Sequence, residues 1–90
     1  MKNGIMVISA VWCPSCLILK KSIKRIKEKY KDLEIKQLDY DLDEDEVKIY
    51  NIGDKLPVII SFKDNMEVNR LIGEKKDNEI EDFLKDSKIV

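Results

Sequence analysis

The sequence predicts an α/β fold. The expected architecture is a four-stranded mixed sheet in the order 2-1-3-4, its last strand antiparallel, with helices on both faces and the chain order β-α-β-α-β-β-α. Three observations carry this. Two wholly apolar runs, "GIMVISA" (4–10) and "VIISF" (58–62), have the makeup of strands buried on both faces. Helical spacing fills the stretches between the first three strands, as in crossover connections. A short "KDN" turn then joins "VIISF" to "MEVNRLI" (66–72), which reads as a hairpin despite imperfect alternation. The two apolar strands must occupy the middle of the sheet, which fixes the spatial order. Strands one to three are expected to run parallel, because a helix separates each from the next.

The elements follow in order. After the first strand, Cys16, Leu19, Ile23, Ile26 and Tyr30 recur at steps of three and four, lining one face of a helix that begins at Pro14. Proline suits the first helical position, where a missing N–H costs nothing. "LEIKQLDYDL" (33–42) is a shorter, more polar strand whose Glu34 and Lys36 fit a sheet edge. Asp43, with Glu46 three residues on, is close to a capping-box pattern and opens a short helix through Val47, Ile49 and Tyr50. "NIGDKLP" ends that helix, Gly73 ends the hairpin, and Ile80, Phe83 and Leu84 mark a last amphipathic helix from near Asp77.

Ninety residues suffice for one domain, 1–90, with one core. With 17 basic and 18 acidic residues the net charge is −1, which argues against nucleic acid or an anionic membrane as partner. The acidic stretch "LDYDLDEDE" reads as a solvated helix start. No run approaches the roughly 20 apolar residues of a membrane span. A signal peptide ending near Ala10 is disfavoured, since the same stretch reads so well as a strand. A cytoplasmic location is the resulting expectation. Reducing thiol pools there make a close cysteine pair more apt to cycle or to bind metal than to form a permanent disulfide.

Both cysteines of the chain lie in "AVWCPSCLIL" (10–19), three positions apart. Cys13 falls at the start of the predicted helix, where unpaired amide N–H groups and the positive end of the helix dipole favour an anion. Cys16 lies about one turn further in, on the buried face, within reach of Cys13. This arrangement divides the labour of disulfide exchange: Cys13 attacks a target disulfide, and Cys16 then attacks Cys13 and frees the reduced target. Two inert core thiols would not require a helix start preceded by Trp12. A zinc or iron–sulfur site usually takes four ligands, and this chain has no His and no third Cys. The same lack of His removes Cys–His hydrolases. Redox exchange is the favoured reading, with no metal and no cofactor.

An interior strand running into Trp-Cys-x-x-Cys at a helix start, followed later by a proline just before a strand, resembles the thioredoxin superfamily. The segments "SAVWCPSC", "DYDLDEDEVKIYNIGDKLPVIISF", "RLIG" and "NEIEDFL" carry the likeness over nearly the whole chain. The resemblance implies that Trp12 lies partly exposed beside the active site rather than in the core. It implies a cis Leu56–Pro57 bond against the sulfurs, with the Leu56 backbone pairing with the target, and places Gly73 near the substrate groove. Protein disulfides are the implied substrates, with a separate reductase as electron donor and a monomeric state.

The chain departs from thioredoxins in three places. Pro14-Ser15 stands between the cysteines in place of Gly-Pro, more like glutaredoxins, and Ser15 is a candidate donor to the Cys13 sulfur. Val7 and Gln37 occupy the positions of a buried acid and its lysine partner, so the proton acceptor for Cys16 is either water or absent. With so few residues ahead of "GIMVISA", the short form of the fold, without the extra N-terminal strand and helix, is the expectation. Glutathione dependence is disfavoured, because "GEKKDN" lacks the glutaredoxin Gly-Gly-x-Asp signature. The alternatives are a glutathione-linked glutaredoxin-like protein and a binding or redox-sensing module that uses the fold without turnover.

Overall fold

A computed structural model describes residues 2–90. The elements are β1 (Asn3–Ser9), α1 (Pro14–Lys29), β2 (Glu34–Asp39), α2 (Glu44–Ile49), β3 (Val58–Lys63), β4 (Met66–Ile72) and α3 (Asp77–Asp86). The strands form one sheet in the order β2-β1-β3-β4. β1 and β3 lie in the middle because they can bury both faces. Ile5, Val7 and Ile59 meet Leu19, Ile23, Ile26, Ile80, Phe83 and Leu84 from α1 and α3 on one side. Met6, Ile8, Val58, Ile60 and Phe62 meet Val47 of α2 on the other. The continuous apolar runs are thus the sequence record of a three-layer sandwich.

One expectation fails. β1 and β2 are parallel, with Val7 opposite Gln37, but β3 runs antiparallel to β1, with Ile8 opposite Val58. β4 is antiparallel to β3. The reason lies in where the connection ends: residues 40–57 bring the chain back to the end of the sheet where β2 stopped. β2 ends beside Ser9, and β3 starts beside Ile8 at the same end of the sheet. The connection therefore crosses sideways and the chain reverses.

Smaller differences concern the ends of β2 and α2. The second strand stops at Asp39, short of the expected 42. There Asp39 Oδ1 accepts from the amides of Asp41 and Leu42, each at 2.9 Å, and closes a turn. Asp43 sits at the N-cap of α2 without capping it, and no capping box forms. Its Oδ2 turns back to accept from the Asp39 amide at 2.8 Å, so the carboxylate secures the turn before the helix.

α3 opens with the Lys76 amide donating to Glu79 Oε1 at 3.2 Å. It is clamped to α1 by Arg25–Asp77 at 2.6 Å and by Lys29 and Tyr30, which both donate to Glu81, at 2.6 and 2.9 Å. The Arg25 guanidinium holds the Asp77 carboxyl down, at about 2. An unfolded aspartate titrates near roughly 3.9, so this clamp contributes fully above that value and is lost as pH falls through about 2. The thermal midpoint of Asp77→Asn should therefore lie slightly below wild type at neutral pH. The gap should close as both proteins are melted at falling pH between about 4 and 2. A gap that persists at the lowest pH would assign the effect to packing.

Candidate functional site

β1 delivers the site. Its last buried residues lead into Ala10, whose carbonyl accepts from the Cys13 amide at 3.2 Å, and this turn sets Cys13 at the N-cap of α1. Cys13 is extended there (φ −99°, ψ 110°), and its Sγ accepts from the Cys16 amide at 3.2 Å. A sulfur thus occupies the place usually taken by a Ser, Thr or Asp oxygen. The first turn of α1 contains no acidic residue, so the sulfur faces the open amides without a competing carboxylate. The donor is the Cys16 backbone rather than Ser15, which is half-buried and gives no hydrogen bond to the sulfur. Pro14 takes the first helical position, as its ring geometry favours.

Both thiols are free. Cys16 is 0% exposed and Cys13 only 6%, so Cys13 is more enclosed than its place before a helix implied. The two sulfurs and Ala10 form a small cluster capped by Tyr40 and Leu56. Burial pushes the Cys16 thiol up to about 11, and the Cys13 side chain beside it adds to the rise. Val7, where an acid would sit in a thioredoxin, packs in the apolar layer with Leu19 and Ile23.

The Leu56–Pro57 peptide is cis. Leu56 covers the cysteine cluster, Pro57 is buried, and the Pro57 carbonyl accepts from the Gly73 amide at 2.8 Å. Gly73 has φ +91°, a backbone state that glycine alone enters freely. The expected residues Cys13, Cys16, Leu56, Pro57 and Gly73 are thereby brought to one end of the sheet. Trp12 borders them at 58% exposure, which rejects the core alternative.

Two residues of the site escaped sequence reasoning. The indole Nε1 of Trp12 donates to Asp41 Oδ2 at 2.7 Å, and the ring meets Tyr40 edge-on, centroids 6.4 Å apart. The Tyr40 amide donates to the Ser9 carbonyl at 2.8 Å, extending the β1–β2 ladder just far enough to place both partners. Asp41 was hidden in an acidic run. Its one sequence signal was position, directly past the strand that flanks β1.

Residues 2–86 match the family model for thioredoxin. Thioredoxin H2 of Arabidopsis thaliana is 32% identical over 77 residues, covering 83% of this chain. The chain spans 57% of that relative's length. A reduced thioredoxin of Schistosoma mansoni superposes with a TM-score of 0.86 at 28% identity, over 99% of this chain and 80% of that one. The oxidised mitochondrial thioredoxin 3 of Saccharomyces cerevisiae gives a TM-score of 0.85 at 21% identity, over 94% and 78%. With the family match running from β1 to the end of α3, this chain belongs to the thioredoxin family.

Proposed function

We propose that the protein is a thiol–disulfide oxidoreductase that reduces protein disulfides through Cys13 and Cys16. The carrying observation is the seat of the Cys13 sulfur on the Cys16 amide, with the second sulfur sealed below it. Cys13, as thiolate, attacks one sulfur of a target disulfide. A Cys13–target bond forms, and the other target sulfur leaves with the electron pair and takes up a proton. Cys16 then loses its proton and attacks Cys13 Sγ. The Cys13–Cys16 bond forms, and the remaining target sulfur departs as a thiol. Exchange between sulfurs needs no cofactor.

Trp12, Leu56, Pro57 and Gly73 form the rim that meets the target in this reading, with Pro14 and Ser15 shaping the loop between the sulfurs. Family membership and the rim geometry support it. The cell compartment is the cytoplasm and the working form a monomer. A separate reductase returns the disulfide to the dithiol.

Insulin reduction driven by dithiothreitol tests the activity. Because Cys16 titrates far above neutrality, its thiolate fraction grows about tenfold per pH unit, and turnover should rise steeply between about pH 6 and 8. A flat profile over that range would remove Cys16 as the slow partner, and absence of turnover would favour a sensing module. Direction follows from the midpoint potential, expected near roughly −270 mV for a reductant; a value near roughly −120 mV would make the protein an oxidant.

A further inference from the structure

Cys13 is set deeper than a helix start requires, and its cover comes from the end of β2 and the cis-proline loop. Tyr40 and Leu56, both half-buried, pack on the buried cluster of Ala10, Cys13 and Cys16. Tyr40 directly follows β2 and, like Leu38 two residues earlier, also packs in the layer of α2. Its backbone is fixed by the ladder bond from its amide to the Ser9 carbonyl. Its ring stands edge-on to Trp12, the neighbour of Cys13, and Trp12 is tied in turn to Asp41, the neighbour of Tyr40. Two adjacent residues of one loop therefore hold two adjacent residues of the other.

The same Tyr40 lines an open cavity of about 580 Å³ between the end of β2 and α2, together with Asp41, Val47 and Ile52. The side chain borders this space and the cysteine cluster alike. Shortening it would join the two, giving Cys13 a wider mouth.

Exchange makes that mouth matter. Displacement at sulfur runs in line, so the attacking, central and leaving sulfurs must share one axis, and access limits the rate. A target has to present its S–S bond end-on to a sulfur that is only 6% exposed. We propose that Tyr40 is a specificity-determining residue of this reaction: its ring narrows the approach to Cys13 and favours small or protruding disulfides over those recessed in folded chain. This rests on the exchange reading above and names the class of disulfide that the site takes. In the selected step the Cys13 thiolate bonds to the nearer target sulfur as the target S–S bond breaks. The farther sulfur leaves with the bonding pair and takes a proton from solvent. Tyr40 enters no bond in this step; its ring acts by volume, and its hydroxyl is not required.

The test times the first attack alone, in Cys16→Ser protein, where the adduct on Cys13 persists. Two disulfides are compared: hydroxyethyl disulfide, small and unbranched, and native insulin, whose disulfides are held in a folded chain. Tyr40→Ala should raise the rate of adduct formation with insulin by about fivefold, and that with hydroxyethyl disulfide by less than about twofold. Tyr40→Leu, which keeps an apolar contact with the α2 layer and protects the fold, should move the ratio of the two rates in the same direction. Tyr40→Phe should keep the native ratio. An insulin rate that is unchanged or lower in both Tyr40→Ala and Tyr40→Leu overturns the proposal, and so does an equal rise for the two disulfides. A ratio that responds to Leu56→Ala but not to Tyr40→Ala assigns the cover to Leu56 instead. Absence of any adduct with either disulfide, in protein that retains Tyr40, overturns the exchange reading itself.

Discussion

Cys13→Ser should leave a folded protein with less than about one-hundredth of the native insulin-reducing activity. The fold survives because serine is a preferred N-cap, so its hydroxyl can accept from the Cys16 amide as Cys13 Sγ does at 3.2 Å. The chemistry does not survive, since a hydroxyl stays protonated at neutral pH and forms no disulfide. Cys16→Ser should behave differently: the first attack proceeds and the target remains bonded to Cys13. Non-reducing electrophoresis after mixing with an oxidised protein should show the adduct, and dithiothreitol should dissolve it. Native-level turnover by the Cys13→Ser protein would sink the assignment of the nucleophile. Adduct formation by Cys13→Ser but not by Cys16→Ser would reverse the two roles.

The second large effect is far from the sulfurs. Gly4→Ala should destabilise the protein by about 3 kcal/mol, lowering the thermal midpoint by roughly 15 °C. Gly4 pairs with Glu34, and a Cβ built on it would lie 2.3 Å from the Glu34 carbonyl oxygen, 2.9 Å from Glu34 Cβ and 3.0 Å from Glu34 carbonyl carbon. Backbone cannot move aside as a long side chain can, so β1 and β2 must separate at their first pair. β1 holds the middle of the sheet and carries Ile5 and Val7 into one layer and Met6 and Ile8 into the other, so the disturbance reaches both. Circular dichroism melts of the two proteins check this. A midpoint within about 3 °C of native would mean that the β1–β2 pairing relaxes freely at its start.

What the sequence reveals and what it conceals differ in kind. Strand position is legible because "GIMVISA" and "VIISF" are apolar throughout, and only a central strand buries both faces. Strand direction is not, since an apolar run reads the same either way. β3 turned out antiparallel because residues 40–57 return the chain to the end of the sheet where β2 stopped, a matter of where the connection ends rather than of pattern. The cysteine pair was legible from spacing and from Pro14, and both proved to lie at the head of α1. Asp41 was not, because a carboxylate bound to an indole and one bathed in water look alike in an acidic run. Gly4 read only as the residue that opens a strand; its role depends on where Glu34 arrives, thirty residues later.

Trp12 is the only tryptophan in the chain, half open to solvent and one residue from Cys13. Its ultraviolet emission is therefore an optical readout of the redox centre alone, free of background from any other indole. Mixing with a partner can be followed by that glow without attaching a dye. By the same token, indole fluorescence is a poor gauge of melting here, because the sole tryptophan is already wet before the core opens.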